Sequence, residues 1–196
     1  KPWNARWSVI AANVWRGSQA AYKFPVALRN LDGLSFQSLQ GETLSFDQML
    51  ERTYTDGILV LHKGQIVYER YFGALTPERP HIGMSLTKSF VGTLAAMLAH
   101  EGVIDPTALV THYLPEMQGT AYADATLRQV MDMTVGVRYS ENYADPKAEI
   151  WNYARAGGLL HQGAGYTGPK TFYEFLTTLQ KEGQHGDAFA YKTVNT

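Results

Sequence analysis

The hexapeptide Gly83-Met84-Ser85-Leu86-Thr87-Lys88, followed by apolar Phe90, Val91, Leu94, Met97 and Leu98, constrains this chain more than any other segment. Apolar side chains at three- and four-residue spacing predict a helix over residues 85–101, closed by Gly102 in the left-handed conformation. Residues three apart share a helix face, so the Ser85 hydroxyl and the Lys88 amine meet at the helix mouth without help from tertiary structure. Unsatisfied N–H groups and the positive end of the helix dipole favour negative charge developing there. A plain capping role explains the serine but not the lysine, because a cation in a first turn opposes the dipole. Ser85 is therefore the candidate nucleophile, and Lys88 a candidate partner in removing its proton.

Composition excludes several other chemistries. The 196 residues are 45% hydrophobic, enough for a substantial core in one large or two small domains. A net charge of −1 without clustered lysine and arginine predicts no nucleic-acid partner and no anionic-membrane surface. No apolar run approaches the roughly 18 residues of a membrane span. The absence of cysteine excludes disulfides, thiolate metal sites and a cysteine nucleophile, and fits a cytoplasmic or a periplasmic location equally. The six histidines stand singly, without metal-ligand spacing, so neither metal nor cofactor is predicted. The glycine-rich stretch 156–169 lies between predicted helices, which argues for a mobile or functional loop rather than a phosphate-binding one. Thr87 stands where the nucleophile elbow of α/β-hydrolases needs its second glycine, so a histidine-based triad on that fold is disfavoured.

Residues 1–45 predict an irregular arm with short helical pieces around residues 3–15. Ser45-Phe46-Asp47-Gln48 opens a short capped helix. Ile58-Leu59-Val60-Leu61-His62 and Gln65-Ile66-Val67-Tyr68-Glu69-Arg70-Tyr71-Phe72, joined at Lys63-Gly64, predict a β-hairpin. Thr126 caps a helix with Leu127, Val130 and Met131 inward, and Thr171 caps another with Phe172, Phe175, Leu176 and Leu179 on one face, running to Gly183. The chain groups into residues 1–104, comprising arm, hairpin and nucleophile helix, and residues 105–196, mostly helical with active-site loops. Three of the twelve tyrosines lie in two notable segments, Tyr139-Ser140-Glu141-Asn142-Tyr143 and Phe189-Ala190-Tyr191-Lys192. A tyrosinate beside a lysine ammonium is a competent general base, because the positive charge favours the ionised phenol.

These segments, in order, resemble the serine-reactive β-lactamase and penicillin-binding-protein family in its class C, carboxypeptidase and esterase branch. The hairpin is similar to the family's opening strands, and Ser85-Leu86-Thr87-Lys88 resembles its Ser-x-x-Lys helix start. Glu101-Gly102-Val103-Ile104-Asp105 with Tyr113-Leu114-Pro115-Glu116 resembles its connector, residues 126–136 its next helix, and Phe189-Ala190-Tyr191 its Phe-x-Tyr. Within the family, the nearest likeness is to 6-aminohexanoate-dimer hydrolases and related esterases, through Met131-Asp132-Met133-Thr134-Val135 and the Tyr139–Tyr143 segment.

The resemblance implies an α/β fold of the β-lactamase and transpeptidase type, an antiparallel sheet with a helical region, and a cofactor-free serine hydrolase acting on small amides or esters through an acyl-enzyme. It implies that Ser85 is acylated, that Lys88 and Tyr191 move its proton, and that Tyr143 closes over the substrate amide. Tyr191-Lys192-Thr193 stands where class C β-lactamases continue Tyr-x-Asn, so their side-chain amide is missing, which weakens a β-lactamase reading. A D-alanyl-D-alanine carboxypeptidase and a non-catalytic penicillin-binding or sensor module are the alternatives. The family's later strands and its Lys/His-Thr/Ser-Gly segment are not among these residues. A C-terminal segment of the same protein, or else a homodimer contact, is therefore expected to complete the site and to cover the open edges of the hairpin.

Overall fold

The structure, a computed structural model, describes residues 20–196, so the helical pieces expected around residues 3–15 lie outside the described residues. The chain forms two compact units, the first ending at Ile82 and the second starting at Gly83. A boundary at residue 104 follows the chain's punctuation, whereas the contacts set the helix after Ser85 in the second unit.

The first unit contains β1 (Ser35–Gln37), β2 (Thr43–Ser45), α1 (Phe46–Arg52), β3 (Gly57–His62) and β4 (Gln65–Tyr71). Lys63 (φ 50°) and Gly64 (φ 74°) both adopt left-handed backbone, giving the two-residue turn whose twist matches antiparallel strands. β3 and β4 accordingly pair antiparallel, with one register irregularity between Val60 and Leu61. α1 starts in a capping box: the Gln48 N–H donates to Ser45 Oγ (3.2 Å) and the Ser45 N–H to Gln48 Oε1 (2.9 Å). Its apolar face buries Phe46 and Leu50 against Tyr68 of β4, with the Phe46 and Tyr68 rings edge to face at 5.3 Å.

Two features depart from the sequence reading of this unit. β1 and β2 pair antiparallel inside the expected irregular arm, too short to leave a periodic signature. The outer edge of β4 is also covered in part by the chain itself. The Ile66 N–H donates to Pro25 O (2.9 Å), while Ile66 O and Val67 O accept from Ala27 (2.9 Å) and Arg29 (2.8 Å). Cover from outside the chain is thus not required at Ile66 and Val67.

The second unit opens with α2 (Leu86–His100), which ends where Gly102 turns left-handed (φ 71°). No residue of α2 is buried, and Leu86, Phe90 and Leu94 are 61%, 71% and 56% exposed. The remaining helices are α3 (Val110–Tyr113), α4 (Leu127–Met131), α5 (Glu149–Ala156) and α6 (Phe172–Leu176). They are short, and turns and extended segments make up most of the chain beyond residue 105, against the expectation of a mostly helical region. α6 stops at Leu176 rather than Gly183. The Thr177 and Thr178 hydroxyls bond back to Glu174 O (2.8 Å) and Phe175 O (2.7 Å), the competition that makes threonine a poor helix continuer. The core gathers Met117, Tyr122, Val135, Val137, Phe175 and Val194 from across the unit. Among the described residues no helix is long and apolar enough to cross a membrane.

One long-range contact organises this unit. Residues 180–190 run against residues 133–138: Arg138 N–H donates to Gln180 O (2.9 Å), Glu182 N–H to Gly136 O (3.1 Å), Gly186 N–H to Thr134 O (2.8 Å) and Ala190 N–H to Met133 O (2.9 Å). At Gly136 the two backbones are so close that a Cβ would lie 2.4 Å from Glu182 O and 3.2 Å from Gln184 O. Neither carbonyl belongs to a side chain that could swing away. Gly136→Ala is therefore expected to destabilise the protein by about 1–3 kcal/mol, read as a lowered midpoint in urea, whereas Gly163→Ala, with no neighbour near its added methyl and no left-handed backbone, should cost less.

Candidate active site

Met84 precedes α2 in left-handed backbone (φ 44°), a conformation that costs a non-glycine residue free energy and re-aims the chain at this point. Ser85 follows at the helix mouth, and its side chain makes no capping hydrogen bond, so the hydroxyl is free for another partner. That partner is Lys88 one turn on, whose Nζ donates to Ser85 Oγ at 3.3 Å. The same ammonium stands 5.0 Å from the centre of the Tyr191 ring. The three residues singled out in the sequence as proton-transfer partners therefore lie together.

Tyr191 arrives from the far end of the unit. Ala190 is tied to Met133, the Lys192 ammonium donates to Val137 O, and the Thr193 N–H (3.0 Å) and hydroxyl donate to Glu141. Both residues after Tyr191 are thus committed to holding the backbone. Hydrogen bonding with Ser85 lowers the Tyr191 phenol below its ordinary value, opposed by burial, and the hydrogen bond and charge of Lys88 lower it further, while Glu141 opposes them.

Tyr143, 65% exposed, shows the opposite shift: partial burial, with the negative charge of Glu141 and the proximity of Tyr191, raises its phenol above the ordinary value. Its ring meets Trp151 of α5 edge to face at 5.8 Å. Tyr143, Ala144, Pro146, Trp151 and Arg155 line an open recess of about 240 Å³. The two phenols are thus shifted in opposite directions, Tyr191 toward ionisation and Tyr143 away from it. Among the described residues no three His, Asp or Glu side chains converge as metal ligands.

Sequence reasoning passed over three contributors. Glu141 lies in the Tyr139–Tyr143 segment, but its partner Thr193 is distant in the chain. Trp151 sits on α5, an unpredicted helix whose cap, Ala148, offers no side-chain acceptor. The spacing of Ile150, Tyr153 and Ala156, three apart, was the available signal. His185, discussed below, gave none.

Residues 46–196 match the family described as Beta-lactamase. The chain belongs to the beta-lactamase family. A curated relative, 6-aminohexanoate-dimer hydrolase of Paenarthrobacter ureafaciens, is 39% identical over 150 residues, covering 76% of this chain and 38% of the relative. A solved structure, the putative 6-aminohexanoate-dimer hydrolase from Bacillus anthracis, superposes with a TM-score of 0.78 at 33% identity, covering 89% of this chain and 46% of that one. The chain thus spans less than half the length of each of these relatives, and its beta-lactamase-type fold is correspondingly incomplete.

Because Lys88 and Ser85 favour the Tyr191 phenolate, the rate of Ser85 labelling by a fluorophosphonate is expected to rise with pH through an apparent pKa below the roughly 10 of a free phenol. Lys88→Ala should move that rise to higher pH. The losses from Lys88→Ala and Tyr191→Phe should combine less than additively in a double-mutant cycle; full additivity would show that the two side chains act separately.

Proposed function

We propose that the protein carrying this chain is a serine hydrolase that cleaves small linear amides or esters through an acyl-enzyme. The observation that carries this reading is the placement of the Lys88 ammonium 3.3 Å from Ser85 Oγ and 5.0 Å from the Tyr191 ring centre. In the proposed step, Ser85 Oγ attacks the substrate carbonyl carbon while the Tyr191 phenolate takes the hydroxyl proton. The Ser85 N–H, which donates to no group among the described residues, is available to the developing oxyanion. Collapse of the tetrahedral intermediate breaks the carbonyl–nitrogen or carbonyl–oxygen bond, with Tyr143 protonating a leaving nitrogen. Water then attacks the acyl carbon and gives up a proton, to the Tyr143 phenolate after amide cleavage or to solvent after ester cleavage, and the Ser85 Oγ–acyl bond breaks as Tyr191 returns to Ser85 the proton it took.

The recess beside Tyr143, walled by Trp151, suits an unbranched chain on the substrate. The relatives' names support a linear amide. A β-lactam substrate is less favoured, because Thr193, which stands where class C β-lactamases carry the asparagine amide, is bonded to the Glu141 carboxylate. The exposed apolar side chains of α2 support a further element of the proposal: the remainder of the family fold, which this chain does not span, covers that helix.

Three measurements test the reading. Mass spectrometry after fluorophosphonate treatment should place the adduct on the Ser85 peptide, and Ser85→Ala should abolish it with folding intact; an adduct on another serine would sink the assignment. Tyr143→Phe should reduce kcat/KM on linear amides by roughly 100-fold while changing p-nitrophenyl ester hydrolysis little, because an activated leaving group needs no proton. Equal losses on both would remove that role. Residues 1–196 expressed alone should show no turnover, and full activity from a cooperatively unfolding monomer would overturn the covering proposal.

A further inference from the structure

His185 is an enclosed ionisable side chain that the proposed reaction does not use: its side chain is only 4% exposed. Its two ring nitrogens have different partners. The Gly136 N–H lies 3.0 Å from Nδ1, and because a backbone N–H can only donate, Nδ1 must be the unprotonated, accepting nitrogen. Nε2 therefore carries the proton and donates to Asp124 Oδ1 at 3.0 Å, while the other Asp124 oxygen takes the Lys181 ammonium. The ring thus forms a strut between Asp124 and the Gly136 peptide.

The strut sits where the two laced segments come closest. Gly136 O accepts from Glu182, and the next bonds outward are Gly186 to Thr134 and Ala190 to Met133. Beyond Ala190 comes Tyr191. Residues 183–185 make no backbone bond to residues 133–136, so the His185 ring is what fastens this stretch of the strap to Gly136. An unmet Gly136 N–H would be a partly buried donor without a partner, and residues 183–185 would be held to this segment only through the Glu182 and Gly186 bonds on either side of them.

We propose that His185 is a positioning residue for Tyr191, acting through the acceptor Nδ1 on the Gly136 N–H. The strap carries this constraint to the phenol that faces Ser85 and Lys88. The functional part of the inference rests on the reading of Tyr191 as base; the structural part, that His185 fixes residues 186–191, does not.

Two near-isosteric variants separate the nitrogens. Asparagine places an amide oxygen where Nδ1 stands and loses the reach to Asp124; glutamine reaches toward Asp124 but has no acceptor at the δ position. His185→Asn is expected to keep Ser85 labelling by a fluorophosphonate within about threefold of the parent. His185→Gln should slow it by roughly 10- to 100-fold, the penalty for a reacting group displaced by about an ångström, and should move the basic rise of the pH profile upward as Tyr191 loses its partners. A merely structural loss would reduce the labelled fraction without moving the rise. Hydrogen exchange of the 186–191 peptide, measured by mass spectrometry, should quicken in His185→Gln and not in His185→Asn. Equal exchange in both variants, or quickened exchange with an unmoved rise, overturns the proposal. Unchanged labelling in Tyr191→Phe would instead remove the base role of Tyr191, and the exchange comparison would still decide the role of His185.

Discussion

The close approach of two backbone segments at Gly136 is the constraint on which the second unit depends. Residues 133–138 and 180–190 are joined by main-chain hydrogen bonds, and only glycine leaves room for the Glu182 carbonyl. This contact brings the C-terminal stretch back over the chain, sets Val194 in the core, and presents Tyr191 to the start of α2. Glu141 and Lys192 extend the same seam toward the end of the chain.

The chemistry of the site follows from what this arrangement does to ordinary phenols. Tyr191 and Tyr143 are the same residue type, both largely exposed, yet the first is drawn toward ionisation by Ser85 and Lys88 and the second away from it by partial burial and by Glu141. Glu141 acts against ionisation at both, so the difference between them comes from the helix mouth. The Ser85 hydroxyl first, and then a cation one turn along α2 that is unfavourable for the helix dipole, distinguish the two.

What the sequence made legible was local. Lys63-Gly64 dictates its own turn, Ser45 with Gln48 and Thr126 with Gln129 announce their helix starts, and Ser85 meets Lys88 because one helical turn brings them together. Each of these depends on residues within four positions of one another. The features that escaped depend on partners far apart or on signals too short to repeat. β1 and β2 have three residues each, α5 lacks a capping side chain, and the His185–Gly136 and Glu141–Thr193 bonds join distant segments of ordinary composition. The end of α6 lies between, since Thr177 and Thr178 stand in plain sequence but the apolar face of Phe172, Phe175 and Leu179 gives a periodic signal that runs past their back-bonding hydroxyls. Tyr191 was reached only through family likeness, because nothing in its neighbourhood distinguishes it from the other tyrosines.

The site is therefore built on two clocks. Ser85 and Lys88 come into register as soon as a few turns of α2 form, an event of helix nucleation that involves neighbours only. Tyr191 joins them only when the chain has closed a loop through most of the second unit and the strap has seated against Gly136, a slow class of event because loop-closure entropy must be met before any contact repays it. A molecule in which that strap is not seated thus holds a serine and a lysine without their tyrosine, and on the proposed mechanism its reactivity stays off until this long-range contact is made.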